Sequence, residues 1–142
     1  MSRTEIVLAV LRCGAQICLA RRSQAVATSQ GLWSVITGYL EPEVDPLSQV
    51  WTEIREELGL DRSQLRLVRQ LEPVALTSPA SGKQFLVHPY LLECASTNGI
   101  VLNWENDEVQ WAEPSRLEAA DCVRWQYPLV QTLLQAENAP LG

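Results

Sequence analysis

Positive charge is scarce in this chain, and so are histidine and long apolar runs. Lys and Arg number 11 against 17 Asp and Glu among 142 residues, a net charge of −6. That balance lacks the basic footprint of a duplex nucleic-acid binder. The longest apolar runs, at 6–11 and 85–92, fall far short of the roughly 20 residues a membrane helix needs, so no membrane partner is expected. No basic start followed by an apolar stretch and a small-residue cleavage site opens the sequence, which makes the cytoplasm the expected location. The single histidine, His88, and the four cysteines, Cys13, Cys18, Cys94 and Cys122, show none of the paired spacings of zinc or thiol-redox motifs. The cysteines read as small buried hydrophobes, and His88 as a strand residue with one hydrogen bond.

What is present is the material of a folded domain. The chain is 46% hydrophobic, and its length suits one core, so a single domain over 1–142 is expected, as a monomer or a homodimer. Residues 4–12 and 16–22 are apolar and β-branched around a turn at Cys13-Gly14-Ala15, which reads as a hairpin. A loop over 23–31 precedes a short strand over 32–37. Strands are also read at 65–76, 84–94 and 109–111, with a turn at 78–82, a short helix at 114–120 and a helix at 128–136. The clearest helix is 46–58. Asp45 caps it, Pro46 takes its first position, Leu47, Val50, Trp51, Ile54 and Leu58 form one apolar stripe, and Gly59 stops it. Irregular alternation of strands and helices predicts an α/β fold with helices packed over a central sheet.

The acids are not spread evenly. Glu41, Glu43, Asp45, Glu53, Glu56 and Glu57 face one base, Arg55, within 41–57, while the remaining 11 acids and 10 bases nearly cancel. Composition alone leaves a solvated helix face, a partner-binding surface and a cation site open. Helix geometry favours the last. Glu53, Glu56 and Glu57 share one face, with Glu53 and Glu57 beside the apolar stripe and Glu56 further out. Glu56 and Glu57 lie in the last turn, where the helix dipole disfavours negative charge by about 0.3 to 1 kcal/mol each. Glu53 repels both at the i+3 and i+4 spacings. Local rules broken without structural gain mark functional sites, and oxygen-only ligands suit Mg²⁺ or Mn²⁺.

Gly38 followed by Glu53-Ile54-Arg55-Glu56-Glu57-Leu58-Gly59-Leu60 resembles the signature of the Nudix hydrolase family, of MutT type, G-x5-E-x7-R-E-U-x-E-E-x-G-U with U a bulky apolar residue. The spacing matches without a gap. Two positions depart: the first Glu of the pattern is Val44 and its Arg is Thr52. In the family these two help hold the loop against the helix by charge pairing. Either both partners of the pair are lost together, or the loop is shifted and Glu43 stands in for the carboxylate.

The resemblance implies an α/β/α sandwich with a central mixed sheet and a loop-helix metal site. It also implies Mg²⁺-dependent cleavage of a phosphoanhydride in a small nucleotide, either a nucleoside diphosphate linked to another group or a nucleoside triphosphate. Glu53, Glu56 and Glu57 are then the expected metal ligands, with a base role for Glu56. The family often takes a further acid from a later loop, which makes Glu105 and Glu108 candidates for a metal ligand or the base. Arg21 and Arg22 are candidates for phosphate, and Gly38 for substrate approach. Trp33, Tyr39, Phe85 and Tyr90 read either as core or as base-stacking groups. The short downstream patterns of NADH-, dinucleoside polyphosphate- and ADP-ribose-cleaving members are missing, so the nucleotide stays unnamed. The competing expectations are a Nudix-fold binding module that has lost catalysis and a domain whose acidic patch meets a basic protein.

Overall fold

A computed structural model describes residues 3–78 and 81–135. Strands β1 (Thr4–Cys13) and β2 (Gln16–Arg22) form the expected hairpin, but they pair only next to the turn, at Arg12 with Ile17 and Cys13 with Gln16. Beyond that point the hairpin opens into a fork. The segment read as one strand over 32–37 fills the fork as two. Strand β3 (Trp33–Ser34) pairs with β2, and β4 (Ile36–Tyr39) pairs with β1 from Ile6 to Ala9.

The break falls at Val35, where a side chain replaces the ladder. The Val35 N–H donates to Gln126 Oε1 at 3.0 Å, and Gln126 Nε2 donates to Ser34 Oγ at 2.9 Å. Gln126 is 1% exposed and belongs to the last helix, so this amide satisfies backbone that a continuous strand would have paired itself.

Helix α1 (Pro46–Leu58) follows as expected. Asp45 Oδ2 accepts from the Ser48 N–H at 3.1 Å, Pro46 sits in the first turn, and Gly59 closes the helix at φ 69. Strand β7 (Gln84–Cys94) then lies parallel to β1, from Thr4 with Phe85 to Arg12 with Glu93. The other edge of β7 is covered by two antiparallel strands, β5 (Leu65–Gln70) and β6 (Val74–Thr77), where a single strand over 65–76 was expected. The interruption is at 71–73. Pro73 has no N–H for a ladder, and the Leu71 N–H reaches Pro89 O. Strand β8 (Asn106–Ala112) is longer than the 109–111 expected and covers the outer edge of β2.

The short helix expected at 114–120 is a 3₁₀ helix over Pro114–Glu118, and α2 (Gln126–Gln135) starts two residues before Pro128. Residue 136, part of the expected helix, and residues 79–80 of the expected turn lie outside the described residues.

Strand β1 is central and buried on both faces, which its unbroken apolar run requires. Ile6, Leu8 and Val10 point into one core with Leu129, Val130 and Leu133 of α2. Val7, Ala9 and Leu11 point into the other with Val50, Ile54 and Leu58 of α1. The result is the α/β/α sandwich. Cys18, Cys94 and Cys122 are buried and unpaired as disulfides, and burial pushes the Cys18 thiol up to about 12. His88 bonds Glu5 at 2.8 Å, as one hydrogen bond on a strand predicted. Gln126→Leu should orphan the buried Val35 N–H and destabilise the domain by about 1 to 3 kcal/mol. Urea unfolding of the two proteins checks this.

Candidate active site

The site forms where α1 ends over the fork. Glu53 and Glu57 point inward, at 9% and 4% exposed, while Glu56 is exposed, as the helix geometry predicted. Gly38 makes the inward turn of Glu53 possible: a Cβ at residue 38 would overlap Glu53 Cδ, Oε1 and Cγ. The glycine on β4 is thus required by the α1 carboxylate that lies against it.

A second segment reaches the same place from β8. The Ser23 N–H donates to Glu105 O at 2.9 Å, and Ser23 Oγ donates to Trp104 O at 2.7 Å, so the loop after β2 fixes the chain just before β8. Asn103 Oδ1 accepts from the Glu105 N–H at 3.0 Å. Held this way, Glu105 brings a carboxylate oxygen to Glu53 and Glu56, with the three oxygens all within 4.8 Å of one another. Glu53, Glu56 and Glu105 would hold a divalent cation by drawing these oxygens inward, which flexible glutamate side chains allow.

Glu57 stands one step deeper. Asn106 Nδ2 donates to Glu57 Oε1 at 2.9 Å, and Glu57 Oε2 has no partner, the one such buried side-chain atom among the described residues. Burial is the main cause that pushes the Glu57 carboxyl up to about 9, despite the Asn106 bond, and Glu105 and Glu53 push in the same direction. Glu53 is also raised, again chiefly by burial, with Glu105 and Glu56 adding to the shift. An orphaned buried oxygen beside three converging carboxylates fits a divalent cation. The donor set is hard oxygen throughout.

Other candidates lie elsewhere. Glu108 is exposed on β8 and pairs with Arg21 Nη2 at 3.3 Å, outside the three-carboxylate cluster. Arg21 Nε is also bonded to Asp107 at 2.7 Å, and its guanidinium lies over Trp33. Arg22 Nε donates to Thr28 O at 3.0 Å and so braces the 23–31 loop. Trp33 is a core residue, and Phe85 packs against the same core. Tyr90 is buried beneath α1, and Tyr39 is exposed. Glu43 is exposed on a turn closed by Val44 N–H to Glu41 O, at φ 65, while Gly38 keeps its unshifted place under Glu53.

Two residues of the site escaped the sequence reading. Gln49, 1% exposed, donates from Nε2 to Glu53 Oε1 at 3.0 Å and accepts from the Glu41 N–H at 3.1 Å. Its signal was present: a glutamine one helical turn before Glu53 on the same face. Asn106 had a weaker one, since only the pairing of β8 with β2 turns it toward Glu57.

A helix carrying inward carboxylates, a glycine beneath them and a further acid from the turn before β8 form a loop-helix site on an α/β/α sandwich. The NUDIX domain model matches residues 1–133, and the chain belongs to that family. It is similar to the CTP pyrophosphohydrolase of Escherichia coli (strain K12), with 27% identity over 129 residues, covering 91% of this chain and 84% of that one. Among solved structures, a MutT protein from Methanosarcina mazei Go1 superposes with a TM-score of 0.78 at 17% identity, covering 98% of this chain and 99% of the other. The binary complex of a C. elegans Ap4A hydrolase gives 0.72 at 17% identity, covering 94% and 98%. These two likenesses establish the fold. Nudix enzymes generally use divalent metals. No helix among the described residues is long and apolar enough to cross a membrane.

The raised Glu57 carboxyl makes metal-free stability depend on pH. Below about pH 4 the group is protonated in both folded and unfolded chains. As pH rises from there toward its folded value the unfolded chain loses the proton first, so stability is lost across that window. Asp45, Asp61, Glu93 and Asp121, held low by hydrogen bonds or ion pairs, act in the opposite sense, but only in the acid range. Urea unfolding in chelator should therefore show stability falling from pH 5 to 8. Mn²⁺ should flatten or reverse the slope, because the cation competes with the proton. Glu57→Gln should reduce the slope to what the raised Glu53 carboxyl contributes.

Gly38→Ala supplies a second check. The fold should persist with Glu53 displaced, and Mn²⁺ affinity should drop by tenfold or more. Calorimetric titration reads it.

Proposed function

We propose that this Nudix pyrophosphohydrolase cleaves a phosphoanhydride bond of a small nucleotide with Mg²⁺, or Mn²⁺ in its place. The observation that supports this reading is the convergence of Glu53, Glu56 and Glu105 beside the unpartnered Glu57 Oε2. The substrate class is a nucleoside triphosphate or a nucleoside diphosphate linked to another group. The similarity to an E. coli protein described as a CTP pyrophosphohydrolase makes nucleoside triphosphates the first to test.

In this reading Glu53, Glu56 and Glu105 each contribute a ligand oxygen, and Glu57 contributes Oε2 from beneath. A bound divalent cation offsets phosphate charge and lowers the pKa of ligated water. Gln49 and Asn106 hold the two buried carboxylates by one oxygen each. Hydrolysis forms a bond from water oxygen to phosphorus and breaks the bridging P–O bond, with the water proton passing to a carboxylate. Glu56 and Glu105, one exposed and one half-buried, are the acids assigned that proton in this reading. Arg21 is paired with Asp107 and Glu108, and Arg22 ties the neighbouring loop, so neither guanidinium is assigned a phosphate role in this reading.

The test is a panel of nucleoside triphosphates and diphosphate-linked nucleotides with Mg²⁺, read by product identity. Glu56→Gln and Glu105→Gln should each reduce turnover by about 10² to 10⁴, with the larger loss marking the base. Glu108→Gln should stay within a few-fold of wild type. Equal turnover in the Glu56 and Glu105 variants and wild type would overturn the assignment. Nucleotide binding without turnover would favour a binding module.

A further inference from the structure

Gln49 is a buried polar side chain in a region where the family signature would use charge. It bridges two elements. Its carbonyl oxygen takes the backbone N–H of Glu41 at 3.1 Å, and its amide nitrogen gives a hydrogen bond to Glu53 Oε1 at 3.0 Å. Glu41 is also the first residue of the turn that carries Glu43 at positive φ, and the preceding Leu40 N–H is held by Glu5 O on β1. One side chain thus links the end of β4, the loop before α1 and a buried carboxylate of the helix.

We propose that Gln49 is a positioning residue that replaces, with one neutral amide, the Glu-Arg pair that Val44 and Thr52 have displaced. This rests on the metal-site reading of Glu53 given above. The substitution is chemically consistent. A charged pair lost from both sides leaves no stranded charge, but it also removes the tie between loop and helix. An amide can tie the loop and hold Glu53 at once, because it accepts from backbone and donates to a carboxylate with the same planar group. Its bond to the ionised carboxylate is charge-assisted and shorter-ranged in its demands than an ion pair, needing no second charge inside the core. It also occupies only one Glu53 oxygen, leaving the other for ligation. Partners that orient a metal ligand typically change metal affinity by 10- to 100-fold when removed.

Gln49→Met tests this with little change in volume. Three readouts are taken: Mn²⁺ affinity by electron paramagnetic resonance, exchange of the Glu41 amide in metal-free protein by NMR, and kcat against KM for a nucleotide the wild type hydrolyses. Mn²⁺ should bind about tenfold more weakly or worse, the Glu41 amide should exchange at least about tenfold faster, and kcat should fall with KM changed less than about twofold. Unchanged Mn²⁺ affinity together with unchanged Glu41 exchange overturns the proposal. If the methionine variant does not fold, the wild-type protein decides: Glu41 must exchange more slowly than the neighbouring exposed loop amides, and exchange at their rate overturns the clamp. If wild-type protein neither binds Mn²⁺ nor hydrolyses any nucleotide, the metal-site reading fails and the positioning role with it. Faster Glu41 exchange in the variant would then still distinguish a loop clamp from no clamp.

Discussion

Two carboxylates buried on one face of a helix dominate this structure. Glu57 lies in the last turn of α1, where the dipole is unfavourable, Glu53 lies one turn before it, and both face the sheet rather than water. What surrounds them does not neutralise them. Gln49 and Asn106 contribute one neutral donor each, and Glu105 arrives with a further negative charge. A fold selected for stability alone would have put a cationic side chain or an apolar one in this place. The proposed cation is the component that turns this arrangement from repulsion into shared ligation.

The sheet exists in the form that delivers this cluster. Because β1 and β2 part company beyond their turn, β4 lies on β1 directly beneath α1, and Gly38 on that strand leaves the volume that Glu53 fills. Because β8 pairs with the free edge of β2, the chain before it comes back beside the helix and presents Glu105 and Asn106. Ser23, just past β2, ties the two together through the Trp104 and Glu105 carbonyls. On the far face, Gln126 holds the break between β3 and β4 open. The fork is therefore secured from one side by a buried glutamine on α2 and used from the other by carboxylates on α1.

The strands that came out divided have different causes. Residues 32–37 and 65–76 have the composition of single strands. The first is divided by Gln126, ninety-one residues away, and the second by Pro73, which lies within it and has no N–H for the ladder. The charged candidates resemble the first case. Arg21 and Glu108 were each legible as functional groups, and only the pairing of β2 with β8 reveals that they meet each other.

The sequence by itself determined α1, because caps, apolar stripe and stop act within a few residues of chain. It also determined which face carries Glu53, Glu56 and Glu57, since helical periodicity is a local property. The family followed from the gapless spacing of Gly38 to Leu60. Tertiary structure alone decided that Glu105 rather than Glu108 joins the carboxylates, that Asn106 leaves one oxygen of Glu57 free, and that Gln49 spans loop and helix. These are contacts between segments separated by many residues or turned by a strand pairing. Their free energy depends on burial and on hydrogen-bond partners that no stretch of sequence carries within itself.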